Sequence, residues 1–264
     1  MSLPHTSGHY IEHRIIPKLE IKNGYVVKGL MMEGVQRVGS PIEMATQYYE
    51  DGADELVLLD IVASLYQRQE LPGIISELLG SIFSPICAGG GIATLSDAEN
   101  LFRSGADKVC VNTAGVGCPS LFSDLAKRFG SQSVLAQIDV KFYHGEFWVF
   151  TSSGRDKSEY LLADWLKIVQ DNGVGEVMIS SIDKDGLCRG PDLSLLDFAM
   201  HKINVPVIYS GGIRNVLDVS DCFERGVQAC AIAASLHSQE ISIPSIRNEL
   251  IESGWSVRPS LYAS

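Results

Sequence analysis

The chain repeats itself at a fixed distance, and no other feature narrows its fold as much. GADEL at Gly52–Leu56 leads into LLDI at Leu58–Ile61, and GVGEV at Gly173–Val177 leads into SSI at Ser180–Ile182. Gly90-Gly91-Ile92 recurs as Gly211-Gly212-Ile213, and Gly105 recurs as Gly226, each 121 positions on. Leu19-Glu20-Ile21-Lys22 recurs as Ile138-Asp139-Val140-Lys141, 119 positions on. Two halves with the same internal spacing are the signature of a duplicated unit.

Each half reads as four short strands alternating with helices. Nearly continuous apolar runs lie at Arg14–Ile21, Glu55–Asp60, Pro85–Ala88, Lys108–Val111, Ser133–Asp139, Glu176–Ser181, Val207–Ser210 and Ala229–Ala233. Such runs are buried on both faces, as in parallel sheets. Helical patterns fill the gaps at 42–50, 71–79, 95–104, 119–129, 161–172, 193–201, 216–225 and 243–253. Ser40 before Pro41, and Ser96 in TLSDAENL, are the expected capping residues. Eight βα units fit either a (β/α)8 barrel or a large doubly wound sheet. The fixed offset between strand ends favours the barrel, as two repeated half-barrels. The expected organisation is a flexible leader at 1–13 and a (β/α)8 TIM-barrel domain at 14–264, within the roughly 250 residues usual for that fold.

Composition excludes several classes of function. With 21 Lys+Arg against 32 Asp+Glu, the 264-residue chain carries a net charge of −11, which argues against nucleic acid or an anionic membrane as partner. No apolar run is long enough to span a bilayer, and the first residues do not read as a secretory signal. The six cysteines, Cys87, Cys110, Cys118, Cys188, Cys222 and Cys230, include no CxxC pair and read as buried thiols in a reducing, cytoplasmic setting. His5, His9 and His13 are spaced by four in a polar leader, and His144, His201 and His237 show no ligand spacing, so no metal and no cofactor are expected.

In a barrel of this kind, chemistry sits at the C-terminal strand ends. The repeat puts one carboxylate after strand one, Glu20, and its counterpart after strand five, Asp139, across the mouth from each other. Two carboxylates in unlike surroundings can divide acid and base roles; either alone would read as a salt-bridge partner of Lys22, Lys28 or Lys141. Gly89-Gly90-Gly91 ends strand three and Gly211-Gly212 ends strand seven, each followed one βα unit later by a hydroxyl-bearing strand end, Asn112-Thr113 or Ala234-Ser235. Glycine lets backbone N–H groups approach a phosphate. The doubled arrangement points to two phosphate sites and a substrate with a phosphate at each end. Phe147-Trp148 reads as part of a hairpin after strand five.

RIIPKLEIKNGYVVKG, GADELVLLDIVAS, AGGGI, GADKVCVNTA, IDVK, GEVMISSIDKDG, YSGGI and AIAASL resemble the cyclase subunit of imidazole glycerol phosphate synthase, the HisF family, from about Arg14 to Ile251. The resemblance implies a duplicated half-barrel that takes ammonia from a glutaminase partner docked at the N-terminal barrel face. It implies a bisphosphorylated ribulosyl aminoimidazole carboxamide nucleotide as substrate, with imidazole glycerol phosphate and an aminoimidazole carboxamide ribotide as products. Position by position, it implies Glu20 and Asp139 as the acid–base pair and Lys28, Ser180, Asp185 and Ser210 as substrate contacts. It places Gly91, Asn112 and Thr113 at one phosphate site and Gly186, Gly212, Ala234 and Ser235 at the other. Arg14, Glu55, Lys108 and Glu176 match the charged ring through which ammonia enters, and Asp54 and Asp107 match positions at the glutaminase interface. A charged ring would otherwise read as stabilising salt bridges.

The chain departs from the family at its first strand, where Lys18-Leu19-Glu20 stands in place of Cys-Leu-Asp. Glu moves the carboxylate about 1–1.5 Å further out, and a misplacement of ~1 Å can cost roughly 100-fold in rate. The following loop, LMMEGVQRVGSP, is less polar than is usual there. These changes also resemble those of HisF-like paralogues encoded with surface-polysaccharide enzymes, which imply transfer of ammonia to an acetamido sugar to form an acetamidino group. Two further readings stay open: a catalytically inert activator of a glutaminase, and a single-chain isomerase of the sister HisA family, which would have no need of the charged ring.

Overall fold

Strand β1 (Arg14–Lys22) shows how the sequence makes a barrel. Ile15, Leu19 and Ile21 face an outer apolar core, whereas Ile16 faces a separate inner cluster with Val57, Leu59, Cys87, Cys110, Leu135 and Met178. Alternate side chains thus enter two cores, which is why the run is apolar almost throughout. The computed structural model of the chain describes residues 13–63 and 70–259.

After β1 come the antiparallel strands β2 (Tyr25–Leu30) and β3 (Glu33–Gly39), then α1 (Pro41–Glu50) and β4 (Leu56–Asp60). The first half continues through α2 (Leu71–Leu78), β5 (Ile86–Gly89), α3 (Leu95–Arg103), β6 (Lys108–Val111), α4 (Thr113–Gly117) and α5 (Ser120–Phe129). The second half starts with β7 (Val134–Tyr143), followed by the antiparallel β8 (Glu146–Thr151) and β9 (Asp156–Leu161), then α6 (Leu162–Asp171) and β10 (Glu176–Ser181). It ends with α7 (Leu193–Met200), β11 (Val207–Ser210), α8 (Val216–Glu224), β12 (Ala229–Ile232), α9 (Ala234–His237) and α10 (Ile243–Glu252).

The parallel strands run in the order β1, β4, β5, β6, β7, β10, β11, β12, and β12 pairs back onto β1. The sheet closes into an eight-stranded (β/α)8 barrel, which leaves no unpaired edge among its parallel strands. The two-fold repeat extends beyond the glycines. Strands β1 and β7 are each followed by an antiparallel hairpin at the mouth, β2–β3 and β8–β9. Phe147-Trp148 lies in the second hairpin, as the sequence suggested.

Helix starts repeat as well. Thr94 caps α3 in a capping box with Asp97, and Asn215 caps α8 in a capping box with Asp218, both pairs 121 positions apart. The cap of α3 is therefore Thr94, and Ser96 lies inside the helix. Ser40 caps α1 as expected, accepting from Glu43 N. His13, placed in the leader by sequence, belongs to the folded body: it bridges to Val257 and its ring packs on Phe223 and Trp255. His5 and His9 lie outside the described residues. Cys87, Cys110, Cys222 and Cys230 are buried as expected, whereas Cys118 is exposed and Cys188 half-buried, each lying in a connecting segment outside the cores. Among the described residues no helix is long and apolar enough to cross a membrane.

Candidate active site at the mouth of the barrel

Along β1 the inward positions are Arg14, Ile16, Lys18 and Glu20, every second residue. Arg14 lies at the N-terminal end of the barrel and Glu20 at the mouth, so one strand spans the whole axis. Asp139 and Ser180 are level with each other in the β7–β10 register, and Ser180 is level with Ser210 in β10–β11. These three polar residues form one shelf under the mouth, all nearly inaccessible. The Ser180 hydroxyl has no protein partner, which leaves it available to a ligand.

The two carboxylates singled out by the repeat stand in contrasting environments. Asp139 accepts from two neutral amides, Asn112 Nδ2 at 2.8 Å and Gln137 Nε2 at 2.9 Å. Burial pushes its carboxyl up to about 6, against the Gln137 hydrogen bond and the field of Lys18. Glu20 instead lies 2.9 Å from Lys18 Nζ and accepts from Lys28 Nζ at 2.8 Å. Burial alone would raise Glu20, but the two ammonium groups more than reverse it and hold the carboxylate well below its usual range. Lys18 is fully buried; burial opposes its charge, and Glu20 and Asp185 more than restore it. Asp185 takes both oxygens to Lys28 Nζ, at 2.8 and 2.7 Å.

The glycine-ended strands line two unequal pockets. Gly90, Gly91, Asn112 and Thr113 line a cavity of about 750 Å3 that reaches down past Asp139 to Gln137 and Cys110. Lys28, Asp185, Gly186, Ser210, Gly212 and Ala234 line its counterpart, which holds only about 10 Å3. Ser235 lies beside the second pocket with its hydroxyl turned to the Ile213 carbonyl at 2.8 Å. Glycine at these turns also has a structural cause. Gly91 has φ +69°, and a Cβ there would come 2.8 Å from that of Ala63; a Cβ on Gly212 would run into the Gly190 carbonyl oxygen. Backbone packing alone thus demands part of the glycine pattern, so glycine by itself is weaker evidence for phosphate than its repetition suggests.

The β2–β3 hairpin, which contains the less polar loop, reaches over the mouth. Its tip residues Met31 and Met32 have φ of 51° and 64°, and Met31 N donates to the Asp185 carbonyl at 2.8 Å. On the far side, Ser152 N in the β8–β9 hairpin donates to Thr113 Oγ1 at 3.0 Å. The two repeated hairpins therefore brace opposite halves of the rim.

At the other end of the axis the four ring residues form a closed circuit. Arg14 bridges Glu55 at 2.7 Å and also Glu176, while Lys108 Nζ reaches Glu55 and Glu176 at 2.9 Å each. Above them the lumen is packed with Ile16, Val57, Cys87, Leu135, Met178 and Ile208. Asp54 does not face outward. Its carboxylate accepts from Ile15 N at 2.8 Å and pairs with Arg247 and Arg258, so it pins the C-terminal segment under the barrel. Asp107 is exposed, with one oxygen on Ile86 N at 2.8 Å.

Sequence alone did not single out Gln137, although its place two residues before Asp139 puts it on the same strand face, which is the signal that could have found it. Nor did it single out the Tyr48–His237 pair, whose Oη–Nδ1 contact is 2.7 Å. Among the described residues no group of three His, Cys, Asp or Glu is arranged to hold a metal ion.

The chain matches the family described as "Histidine biosynthesis protein" over residues 14–242. It is 42% identical over 246 residues to the imidazole glycerol phosphate synthase subunit HisF of Chlorobaculum tepidum, covering 93% of this chain and 98% of that protein. It is 40% identical over 238 residues to the protein of that name in Exiguobacterium sp., covering 90% and 93%. It is 40% identical over 245 residues to that of Thermotoga sp., covering 93% and 97%.

Proposed function

The chain belongs to the histidine biosynthesis protein family, and within it we propose that it is the cyclase subunit of imidazole glycerol phosphate synthase. One arrangement carries this reading: a charged ring and an acid–base carboxylate stand at opposite ends of one barrel axis. Ring residues Arg14, Glu55, Lys108 and Glu176 admit ammonia released by a glutaminase chain docked on the N-terminal face. The apolar lumen above them passes neutral ammonia and disfavours ammonium, because burying an unpaired charge there is costly. Asp139 receives it at the mouth. The substrate is the ribulosyl aminoimidazole carboxamide nucleotide, with one phosphate at Gly91, Asn112 and Thr113 and the other at Gly186, Gly212, Ala234 and Ser235. Lys28, Ser180, Asp185 and Ser210 contact the substrate between them.

The chemistry follows from the placement. Ammonia adds its lone pair to the ketose carbonyl, and loss of water leaves an imine. A carboxyl titrating near 6 can give a proton to the departing oxygen and take one back from nitrogen near neutral pH. Ring closure and cleavage then release imidazole glycerol phosphate and the aminoimidazole carboxamide ribotide. The buried thiols support a reducing, cytoplasmic setting.

A second reading rests on the first-strand departure Lys18-Leu19-Glu20 and the narrow second pocket. The pocket leaves little room for a second phosphate, and together they support transfer of ammonia to an acetamido sugar as the alternative. The deciding experiment supplies the purified chain with ammonium and either the ribulosyl nucleotide or an acetamido nucleotide sugar. Imidazole glycerol phosphate from the first supports the cyclase; product from the second alone overturns it.

A further inference from the structure

Lys18 has no evident structural reason to be where it is. It stands on the inward face of β1 between the apolar lumen and the mouth, with none of its surface accessible. Burying an ion pair gains little over a well-packed apolar pair, because two desolvation costs offset the attraction. An inward strand position in this barrel is readily filled by a small thiol, as Cys87 and Cys110 show on neighbouring strands.

Its contacts suggest a different role. Lys18 Nζ lies 2.9 Å from Glu20 Oε1 and 3.8 Å from Asp185 Oδ1. Lys28 Nζ binds the other oxygen of Glu20 at 2.8 Å and Asp185 at 2.7 Å. Two ammonium groups and two carboxylates therefore form a closed, charge-balanced quartet. Neither Lys18 nor Glu20 lines either of the two mouth pockets, and the pocket on the Lys28 and Asp185 side is almost filled. Asp139 stands outside the quartet, held by two neutral amides and facing the large cavity. Asp60, also on that cavity, is engaged by the backbone N–H of Val62 in its own loop. Two further titratable groups lie close to the quartet: His237 on α9 is held down near 4 by burial, and burial pushes the Cys188 thiol up, so both are uncharged at neutral pH.

We propose that Lys18 is a positioning residue that locks Glu20, Lys28 and Asp185 into a neutral quartet, leaving Asp139 as the proton-exchanging carboxylate of the mouth. This deepens the cyclase reading and rests on it for the identity of the reaction. The duplicated acid pair is thereby made unequal. Glu20 becomes a fixed anion that orients Lys28, and Asp139 both donates and accepts the proton.

The test uses the full chain and two variants, Lys18→Met and the charge-matched Lys18→Met/Glu20→Gln. Side-chain carboxyl carbons are followed by 13C NMR without substrate over about pH 4 to 8, where perturbed carboxyls titrate. In the native chain the Asp139 signal should move near pH 6 and the Glu20 signal stay flat. In Lys18→Met, Glu20 should acquire an inflection in that range. Ammonium-driven turnover, corrected for free ammonia, should then show an acid limb steepened from one proton to two. Its kcat should fall about tenfold with KM little changed, since the loss is in proton transfer and not in uniform binding. The double variant should recover a one-proton limb. Glu20 titrating beside Asp139 in the native chain overturns the proposal. So does a Lys18→Met variant whose Glu20 signal and pH profile match the native ones, which would make the lysine merely structural. If Lys18→Met does not fold, the native titration and the double variant's limb decide. If the native chain does not turn over the ribulosyl nucleotide, the cyclase reading falls, while the carboxyl titration still judges the quartet.

Discussion

Asn112 Nδ2 donates to Asp139 Oδ2 at 2.8 Å, joining the residue that begins the turn after β6 to the carboxylate of β7. Asn112 also lines the large glycine-ended pocket. The group expected to meet a phosphate and the group expected to move a proton are thus one hydrogen bond apart. Ligand binding on one side of this bond can adjust acid strength on the other.

Asn112→Ala should shift the acid limb of turnover to higher pH. The lost donor stabilised the charged form of Asp139, and removing it favours the protonated form. The same variant should weaken a phosphate-bearing ligand by about 1–3 kcal/mol, the scale of a hydrogen bond to a charged group. Calorimetry with a bisphosphorylated ligand and a pH–rate profile check both; an unmoved limb would break the link between Asn112 and Asp139.

Asp139→Asn should abolish turnover, by roughly 100-fold or more, while keeping size and fold. It should also stabilise the protein at neutral pH. The folded carboxyl, near 6, lies above its unfolded value, so its contribution is fully present at low pH and is lost as pH rises through about 6. The loss amounts to about 2–3 kcal/mol. Denaturant titration should find the variant more stable than the native chain at pH 8 and nearly equal near pH 4. Glu20 runs the other way: its lowered folded value gives stability that is present at neutral pH and lost only in strong acid.

Shortening Glu20 alone should not raise activity. Glu20→Asp draws the carboxylate back by about 1–1.5 Å and breaks a contact with Lys18 or Lys28, leaving a buried ammonium short of a partner. Breaking a buried pair costs about 3–5 kcal/mol. Lys18→Cys/Glu20→Asp, which changes both, should be the more stable and the more active of the two variants with the ribulosyl nucleotide. Thermal melts and ammonium-driven assays compare them, and a Glu20→Asp variant more active than the double one would contradict the coupling.

Lys108→Ala should separate two assays. Lys108 contacts Glu55 and Glu176 at 2.9 Å in the ring farthest from the mouth. Turnover driven by ammonium should stay largely intact, whereas turnover driven by glutamine and a glutaminase chain should be uncoupled, with ammonia leaking to solvent. Equal losses in both would mean that Lys108 supports the barrel and guards no passage.

Asp54 illustrates what position alone does not show. The resemblance matched it to a partner interface, and the fold adds an intrachain role, since Arg247 and Arg258, some two hundred residues later, pair with its carboxylate. Gly212 teaches the same lesson, since part of the demand for glycine comes from the Gly190 carbonyl and not from a ligand. Alanine there should destabilise the fold with or without phosphate, so that Asn112 is the cleaner probe.

The barrel was legible in the chain because it depends on short-range patterns. Two-faced apolar strands, the Ser40 cap before Pro41 and turn glycines each leave a local mark, and duplication printed the strand ends and glycines twice. The repeat also placed Glu20 and Asp139 at matching strand ends. It could not make them alike, because acid strength is set by neighbours brought from afar. Asp185 reaches Lys28 across 157 positions, and Lys18 comes within 3.8 Å of Asp185 through barrel closure alone. Sequence therefore determined the frame and the candidate pair. Tertiary structure decided which carboxylate is held firmly charged and which is raised toward neutral pH, since electrostatic fields and desolvation follow distance in space and not along the chain.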